Sequence, residues 1–155
     1  MRKTMMAFTK MLCAVVVVVS ASAFGAAADH CAKSPDGRNA ILLYVDPLAY
    51  EVTRDGVVVV EKSEIGMKVD GKFLKQSQPV SVCSSARGGI VDAPVYKKDK
   101  VDLAANETFV DFGEWGVRLV ARNDGVAYRF ETKFAGRIRV DSEKASLDVP
   151  SGEAM

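Results

Sequence analysis

The dipeptide Asp-Gly recurs four times between short apolar or alternating segments, at residues 36–37, 55–56, 70–71 and 124–125. Aspartate followed by glycine readily adopts the positive φ angles that tight hairpin turns require. Each dipeptide therefore predicts a reversal of the chain between two strands. Because the reversals are repeated, they favour an antiparallel, all-β fold.

The clearest predicted hairpin covers residues 117–131. Apolar residues alternate with mostly charged or polar ones on both sides of its turn, at Val117, Leu119, Ala121, Val126, Tyr128 and Phe130. A period of two places the apolar side chains on one face of the sheet and the charged ones on the other. We therefore expect one face of this hairpin to lie in the core.

Further strands are predicted at residues 40–45, 50–53, 57–61, 65–69, 72–74, 108–112 and 137–141. The four valines at residues 57–60 predict a strand that is buried on both faces. Residues 76–102 show a weaker pattern and are expected to form a long loop or an irregular edge segment. Short strands with turn signals between them indicate a β-sandwich or a barrel.

Residues 1–28 differ from the rest of the chain. Their charged residues are Arg2, Lys3 and Lys10, followed by an apolar run at residues 11–19 and small residues before position 28. This order predicts a signal peptide, and the run is too short to span a bilayer about 30 Å thick. We expect export to the periplasm or medium, no membrane attachment after cleavage, and a mature domain of residues 29–155. An uncleaved membrane anchor is the alternative.

The charge balance of the chain argues against a nucleic-acid partner. The 155 residues include 21 Lys and Arg and 20 Asp and Glu, a formal net charge of +1, without the basic face that a phosphate backbone requires. Export would allow a disulfide between the two remaining cysteines, Cys31 and Cys83, with two unpaired thiols as the alternative.

Few residues are suited to catalysis. His30 is the only histidine and lies beside the predicted cleavage site, so a serine or cysteine triad has no well-placed base. The carboxylates Glu107, Asp111 and Glu114 cluster near aromatic residues, as in many sugar sites, and glycoside hydrolysis commonly uses two carboxyl groups. The alternative is a solvent-exposed strand face with its acids opposite core aromatics. A separate hypothesis assigns sugar stacking to Trp115 and Tyr96.

Several motifs, in their order and spacing, resemble the start of the N-terminal domain of glycoside hydrolase family 97. The motifs are SPDG at 34–37, YEVTRDG at 50–56, EIGM at 64–67, NE at 106–107, WGV at 115–117 and NDGVAYRF at 123–130. The resemblance covers roughly residues 34–150. Its most specific part is the NDGVAYRF segment.

The resemblance implies an exported bacterial α-glycosidase, mainly of the α-glucosidase or α-galactosidase type, that depends on calcium. Its N-terminal domain is an antiparallel β-super-sandwich of the galactose-mutarotase type. This domain packs on a catalytic (β/α)8 barrel and helps to complete the site for an α-linked oligosaccharide. We expect this chain to hold an incomplete form of that sandwich without the barrel.

We therefore predict a non-catalytic module that is inactive alone, has no cofactor of its own, and carries no catalytic or metal-binding residue. Its expected partner is the catalytic barrel of the parent glycosidase, in the same polypeptide or as the product of a split gene. The alternatives are a secreted carbohydrate-binding β-sandwich and an unrelated enzyme that uses the three carboxylates.

Overall fold

The computed structural model describes residues 28–75, 78–92 and 100–151. Within these ranges the chain forms twelve strands and no helix: β1 (His30–Lys33), β2 (Asn39–Tyr44), β3 (Ala49–Arg54), β4 (Val57–Val69), β5 (Lys72–Phe73), β6 (Ser81–Arg87), β7 (Ile90–Asp92), β8 (Lys100–Asp102), β9 (Ala105–Asp111), β10 (Trp115–Arg122), β11 (Gly125–Thr132) and β12 (Val140–Ala145).

Ten of these strands form two antiparallel sheets. Sheet I has the order β1-β2-β3-β4-β12, with β5 also paired to β4, and sheet II has the order β11-β10-β9-β6. Strands β7 and β8 form a separate hairpin. Strands β1 and β2 of sheet I lie against strands of sheet II, so the two sheets form a sandwich. This arrangement confirms the predicted all-β, antiparallel sandwich.

The core lies between the inner faces of the two sheets. Its most deeply buried apolar side chains come from β2, β9 and β10 and are at most 1% exposed: Ile41, Leu43, Val110, Val117 and Leu119, together with Ala121. The predicted hairpin is formed by β10 and β11, where Val117 pairs with Phe130. Period-two alternation therefore places the apolar residues of this hairpin towards the core, as predicted.

Two of the Asp-Gly dipeptides form turns in which both residues have positive φ. The angles are 50° and 81° at Asp55-Gly56, and 47° and 78° at Asp70-Gly71. This is the geometry of type I′ turns, whose twist matches that of the flanking strands. At the fourth dipeptide, Arg122 pairs with Gly125, so that the turn is Asn123-Asp124 and the glycine begins β11.

The valine run is not buried on both faces, and this prediction was wrong. Val57, Val58 and Val59 are 65%, 38% and 40% exposed. The valine end pairs with β3 through its backbone edge, which covers neither face of the strand, and β12 pairs with β4 only from Ile65 onward.

The structure also differs from the predictions at residues 76–102 and at the start of β12. Strands β6, β7 and β8 lie where a long loop or an irregular edge segment was expected, and β6 is a regular edge strand that pairs with β9 over seven residues. Its serine, cysteine and alanine side chains are exposed and give no apolar alternation. Strand β12 begins at Val140 rather than at Arg137, and the preceding residue, Arg139, hydrogen-bonds with Asp70 at the β4–β5 turn.

Of the two alternatives given for the cysteines, the structure has unpaired thiols. Cys31 and Cys83 are free and exposed. Cys31 follows the outward alternation of β1 in sheet I, next to the buried Ala32, whereas Cys83 is opposite Phe109 in sheet II. The two thiols therefore belong to strands of different sheets and point away from the shared core.

The predicted signal peptide lies outside the described residues, except for Ala28. Within the described ranges, the structure contains no helix with the length and apolar character needed to cross a membrane.

Candidate functional site

The SPDG turn between β1 and β2 contacts the NDG turn between β10 and β11. The Asp36 amide donates to Asn123 Oδ1 at 3.0 Å, across 87 positions of the sequence. Ser34 Oγ donates to Asp36 Oδ1 at 2.5 Å, and the Arg38 amide donates to the same oxygen at 3.1 Å. The Ser34 hydroxyl, and then the Arg38 amide, lower the pKa of the Asp36 carboxyl. Two motifs that carry the family resemblance therefore meet in space.

Asn39 completes this contact, which we call the turn clasp (Ser34, Asp36, Asn39 and Asn123). Its side chain is buried, and Nδ2 donates to the carbonyl oxygens of Arg122 and Asn123 at 2.9 and 3.0 Å. Its amide donates to Ser34 Oγ at 2.9 Å. The clasp thus joins a turn of sheet I to a turn of sheet II through buried polar groups that have their hydrogen-bond partners.

A second connection between the sheets closes the outer edge of β1. The Ser34 amide donates to the Asn39 carbonyl, so the even-numbered residues of β1 face β2 and the odd-numbered ones face outward. Thr108 Oγ1 donates to the outward carbonyl of Cys31 at 2.9 Å. Asn106 Nδ2 donates to that of Lys33 at 2.9 Å. Two side chains of β9 therefore hydrogen-bond to the outward carbonyl oxygens of β1.

The candidate carboxylates Glu107 and Asp111 lie on the outer face of sheet II, and each is paired with a cation. The Glu107 side chain is only 8% exposed and contacts Arg87 at 3.1 Å and Arg118 at 3.2 Å. Asp111 accepts from Lys133 Nζ at 2.5 Å, and this hydrogen bond is the main cause that lowers the pKa of the Asp111 carboxyl.

Glu114 lies in the turn between β9 and β10, where its backbone carbonyl accepts from the Lys133 amide at 2.7 Å. The arrangement places two of the three predicted carboxylates on one face of β9, four residues apart. Since Glu107 and Asp111 are each neutralised by basic side chains, their observed geometry is that of ion pairs across a sheet.

Arg118 is the centre of the ion pairs on this face. Its Nε and Nη2 donate to the two oxygens of Glu131 at 2.5 and 2.9 Å, and its Nη1 contacts Glu107. The hydrogen bonds from Arg118, followed by one from Arg129, lower the pKa of Glu131 to about 2. We call this chain of contacts the ionic ladder (Arg87, Glu107, Arg118, Glu131 and Arg129).

An aromatic ring packs beneath this ladder. The Arg118 guanidinium lies 4.8 Å from the centre of the Phe109 ring, a cation–π distance. The same ring covers Gly116, where a Cβ atom would come within 2.5 Å of Phe109 Cζ. Gly116 of the WGV motif is therefore required by the close approach of Phe109.

Trp115 is a core residue and not an exposed stacking surface. It is 5% exposed, and its ring stacks on Phe112 at 4.4 Å with an interplanar angle of 27°. Phe130 lies at 6.1 Å. Because Phe112 covers one face of the indole, this face is closed to a sugar ring. Tyr96, the other predicted stacking residue, lies outside the described residues.

Two cavities of about 770 and 620 Å³ border Trp115. Both are also lined by Phe73, Leu74 and Lys75. The larger cavity is also lined by four further charged side chains: Asp46, Glu64, Glu143 and Lys144. The mixture of apolar and charged groups makes this end of the sandwich a candidate contact surface for a small polar molecule or for another domain.

The described residues contain no group of three or more His, Cys, Asp or Glu side chains arranged to hold a metal ion. We assign no chemical step in this part of the chain to the calcium ion that the family resemblance implies.

Comparison with known proteins assigns the chain to a family. The family model described as glycosyl-hydrolase 97 N-terminal matches residues 32–155. The chain belongs to this family. A curated relative, the retaining alpha-galactosidase of Bacteroides thetaiotaomicron, is 29% identical over 122 residues, which cover 76% of this chain and 18% of that enzyme.

Solved structures share the fold of this family 97 domain. A glycoside hydrolase family 97 enzyme from Pseudoalteromonas sp. strain K8, in complex with panose, matches with a TM-score of 0.68 at 21% identity, covering 79% of this chain and 20% of that one. A beta-arabinopyranosidase matches with a TM-score of 0.69 at 23% identity, covering 79% and 21%. The chain thus spans about a fifth of the length of these relatives.

An N-terminal domain of family 97 implies a catalytic domain as its partner in the full enzyme. The residues that carry the family resemblance have structural roles here, in the turn clasp and around Gly116. Sequence reasoning missed the hydrogen bonds of Asn106 and Thr108 to β1, because β1 itself was not predicted. It also missed the ionic ladder, whose members come from four strands.

Proposed function

We propose that this family 97 domain is a non-catalytic module that packs on the catalytic domain of a glycoside hydrolase and helps to complete its sugar-binding site. The observation that carries the proposal is the valine end of β4 (Val57–Val59), which is exposed on both strand faces. Leu147 and Val149, which are 65% and 64% exposed, flank Asp148, whose carbonyl accepts from Glu61 of the same strand. Exposed apolar side chains grouped in this way are typical of a contact with another protein or domain.

The catalytic domain is the partner that best fits this surface. The curated relative has more than four-fifths of its length outside the region that this chain matches. The valine end is made of consecutive residues, so that a partner can cover both faces of the strand. We therefore place the contact with the catalytic domain at the valine end and at the neighbouring apolar residues.

The contribution to sugar binding is assigned to the other end of β4, at the larger cavity beside Trp115. Its charged lining offers Asp46, Lys75 and Glu143 as hydrogen-bonding groups above an apolar floor. Sites for small polar ligands commonly combine such a floor with a few polar groups. The alternative function, a secreted carbohydrate-binding β-sandwich, is supported by this same cavity. Export remains part of the proposal and rests on residues 1–28.

The test combines this chain with the remaining part of the B. thetaiotaomicron α-galactosidase, produced without the region that the chain matches. We expect the two polypeptides to co-purify and the chain to lower the KM for a chromogenic α-galactoside by about tenfold, or 1.4 kcal/mol. Val57→Asp should abolish the association, because it places a charge in the apolar contact. Val91→Asp, at a residue that is 49% exposed on β7, is the matched control.

Lack of association, or equal effects of the two aspartate variants, would overturn the assignment of the contact. Calorimetric titration of the chain alone with panose distinguishes the alternative. If the chain binds panose and has no effect on the catalytic part, the carbohydrate-binding function replaces the proposed one.

A further inference from the structure

The four Asp-Gly dipeptides share a sequence but differ in what their glycine amides contact. Glycine has no Cβ, so its nitrogen is unhindered when it attacks the side-chain carboxyl carbon of the preceding aspartate. This attack closes a five-membered succinimide and is the chemical route by which aspartate isomerises. A nitrogen whose N–H group is held by an acceptor must first break that hydrogen bond. The contacts of the four amides therefore indicate which dipeptide reacts first.

Two of the glycine amides are held by acceptors outside a strand ladder. The Gly37 amide donates to the Ser34 carbonyl at 2.8 Å, within the SPDG turn. The Gly71 amide donates to Asp141 Oδ2 at 2.6 Å, across the β4–β5 turn. In both cases the nitrogen is fixed in a direction away from the preceding carboxyl group.

The Gly125 amide is held by the ladder between β10 and β11. The Phe112 amide donates to the Trp115 carbonyl, so odd-numbered residues of β10 bond to β9 and even-numbered ones bond to β11. Arg122 is opposite Gly125, and these two residues therefore exchange hydrogen bonds at the closing pair of the hairpin. Attack by the Gly125 nitrogen would break the first bond of this ladder.

Gly56 differs from the other three glycines. Asp55 and Gly56 are the central residues of the type I′ turn between β3 and β4, which Arg54 and Val57 close. The N–H group of the second central residue takes no part in the closing pair of such a turn. Among the residues that the structure describes, the Gly56 amide has no acceptor, and the glycine is exposed. Its nitrogen is therefore free.

The Asp55 carboxylate is held by Arg38. The Arg38 Nε and Nη2 donate to Asp55 Oδ1 and Oδ2 at 2.9 and 2.8 Å, and both side chains are about half exposed. These hydrogen bonds are the main cause that lowers the pKa of the Asp55 carboxyl. The ionised carboxylate is the poorer electrophile, because it carries no protonated oxygen that can leave as water. Arg38 therefore slows an attack that the free nitrogen allows.

We propose that Asp55 is a site of spontaneous isomerisation to isoaspartate, with the Gly56 nitrogen as the nucleophile and Arg38 as the restraint. The nitrogen forms a bond to Cγ of the protonated Asp55 carboxyl. The bond from Cγ to the hydroxyl oxygen breaks, and this oxygen leaves as water with the amide proton. A second water opens the succinimide, either at Cγ, which restores aspartate, or at the main-chain carbonyl carbon, which gives isoaspartate. No atom is gained or lost overall.

Isoaspartate changes the turn in which it forms. The main chain then runs through Cγ, which adds one carbon atom between Arg54 and Val57, the pair that closes the turn. Val57 begins the valine end of β4, where the proposed function places the contact with the catalytic domain. We therefore expect isomerisation to weaken that contact. This consequence depends on the proposed function, whereas the modification itself does not.

The test ages the purified chain for several weeks at 37 °C and locates isoaspartate by peptide mapping with electron-transfer fragmentation. The Asp70-Gly71 turn is the internal control, because it has the same turn geometry and its carboxyl is also held, by the Arg139 amide. We expect Asp55 to isomerise roughly fivefold faster than Asp70, the factor that one ordinary hydrogen bond contributes to a rate. In guanidinium chloride, which removes the turns, the two rates should be similar.

Two variants separate the effect of the nitrogen from that of Arg38. Asp141→Ala removes the acceptor of the Gly71 amide and should raise the rate at Asp70 roughly fivefold, with Asp55 unchanged. Arg38→Gln releases the Asp55 carboxylate and should raise the rate at Asp55 roughly threefold, as expected for an exposed ion pair. Far-UV circular dichroism confirms that both variants are folded.

Three results would overturn the proposal. They are a rate at Asp55 no higher than that at Asp70 in the folded chain, an excess at Asp55 that persists in guanidinium chloride, and an unchanged rate at Asp55 in Arg38→Gln. The second result would show that the local sequence, and not the turn, determines the rate.

Co-purification with the α-galactosidase part tests the consequence for the contact. Aged chain should associate less than aged Asp55→Glu, which keeps the carboxylate but closes a six-membered imide far more slowly. Equal association of the two would overturn this consequence. If neither the fresh nor the aged chain associates, the proposed function fails, and the peptide maps alone decide the modification.

Discussion

Asn39, the first residue of β2, hydrogen-bonds to Asn123 in the β10–β11 turn, 84 positions later in the chain. Its side-chain amide donates to two backbone carbonyls at the β10–β11 turn, those of Arg122 and Asn123. The Asn39 side chain is buried, and a buried amide group without acceptors is costly, so these two carbonyls satisfy its N–H groups. The asparagine therefore fixes the position of the β10–β11 hairpin relative to β2.

Replacing Asn39 with alanine should lower the free energy of unfolding by about 1–3 kcal/mol, because both hydrogen bonds from the buried side chain to the β10–β11 turn are lost. Urea denaturation followed by circular dichroism measures the change. Asn123→Ala is the control, since it removes only the exposed bond to the Asp36 amide and should have the smaller effect. An equal loss in both variants would contradict the role of Asn39 in the turn clasp.

The same residue shows why sequence reasoning reached the motifs but not their roles. The SPDG and NDG segments were recognised as a family resemblance and as turns. Their mutual contact depends on Asn39, an ordinary residue at the start of β2, and on a sheet arrangement that local patterns do not specify. Gly116 is a similar case, because its requirement comes from the Phe109 ring of the neighbouring strand.

At the scale of elements, period-two alternation predicted the strands that have one buried face, such as β10. A different criterion, the continuous apolar run, failed for the valine end of β4, because such a run indicates that a strand should be covered without showing what covers it. Alternation failed for β6, whose exposed serine and alanine residues resemble a loop. Backbone pairing with β9, rather than burial, defines that strand.

The ionic ladder makes the stability of β10 and β11 dependent on pH. The pKa of Glu131 falls from 4.5 to about 2 on folding, chiefly through the hydrogen bonds from Arg118. A depressed carboxyl pKa stabilises the fold above the unfolded value and loses this effect as the pH falls through the folded value. The free energy of unfolding should therefore decline between about pH 5 and pH 2.

Glu131→Gln should reduce this decline by about 1–3 kcal/mol, after allowance for solvent screening of a side chain that is 28% exposed. Urea denaturation at pH 6, 4 and 3 measures it. Glu64→Gln is the control, because the Glu64–Lys144 pair is more than half exposed and should alter the pH profile much less. The role of the ladder would be contradicted if both variants retained the wild-type pH dependence.

At the scale of the whole molecule, the two sheets are joined by more than apolar contact. The turn clasp links them at one end, and the bonds from Asn106 and Thr108 to β1 link them along one edge. The sandwich class was predictable because turn signals and alternation are local. The links were not, since each joins residues that are more than 70 positions apart.

These links predict that both sheets unfold together. Trp115 is the only tryptophan of the chain and lies in the core at the start of β10, so its fluorescence reports on sheet II. Far-UV circular dichroism reports on both sheets. If the sandwich is one cooperative unit, the two signals should give the same urea midpoint, as expected for two-state unfolding. Asn39→Ala should shift both midpoints by the same amount. A fluorescence transition separate from the dichroism transition would show that sheet II unfolds without sheet I and that the links between the sheets are too weak to couple them.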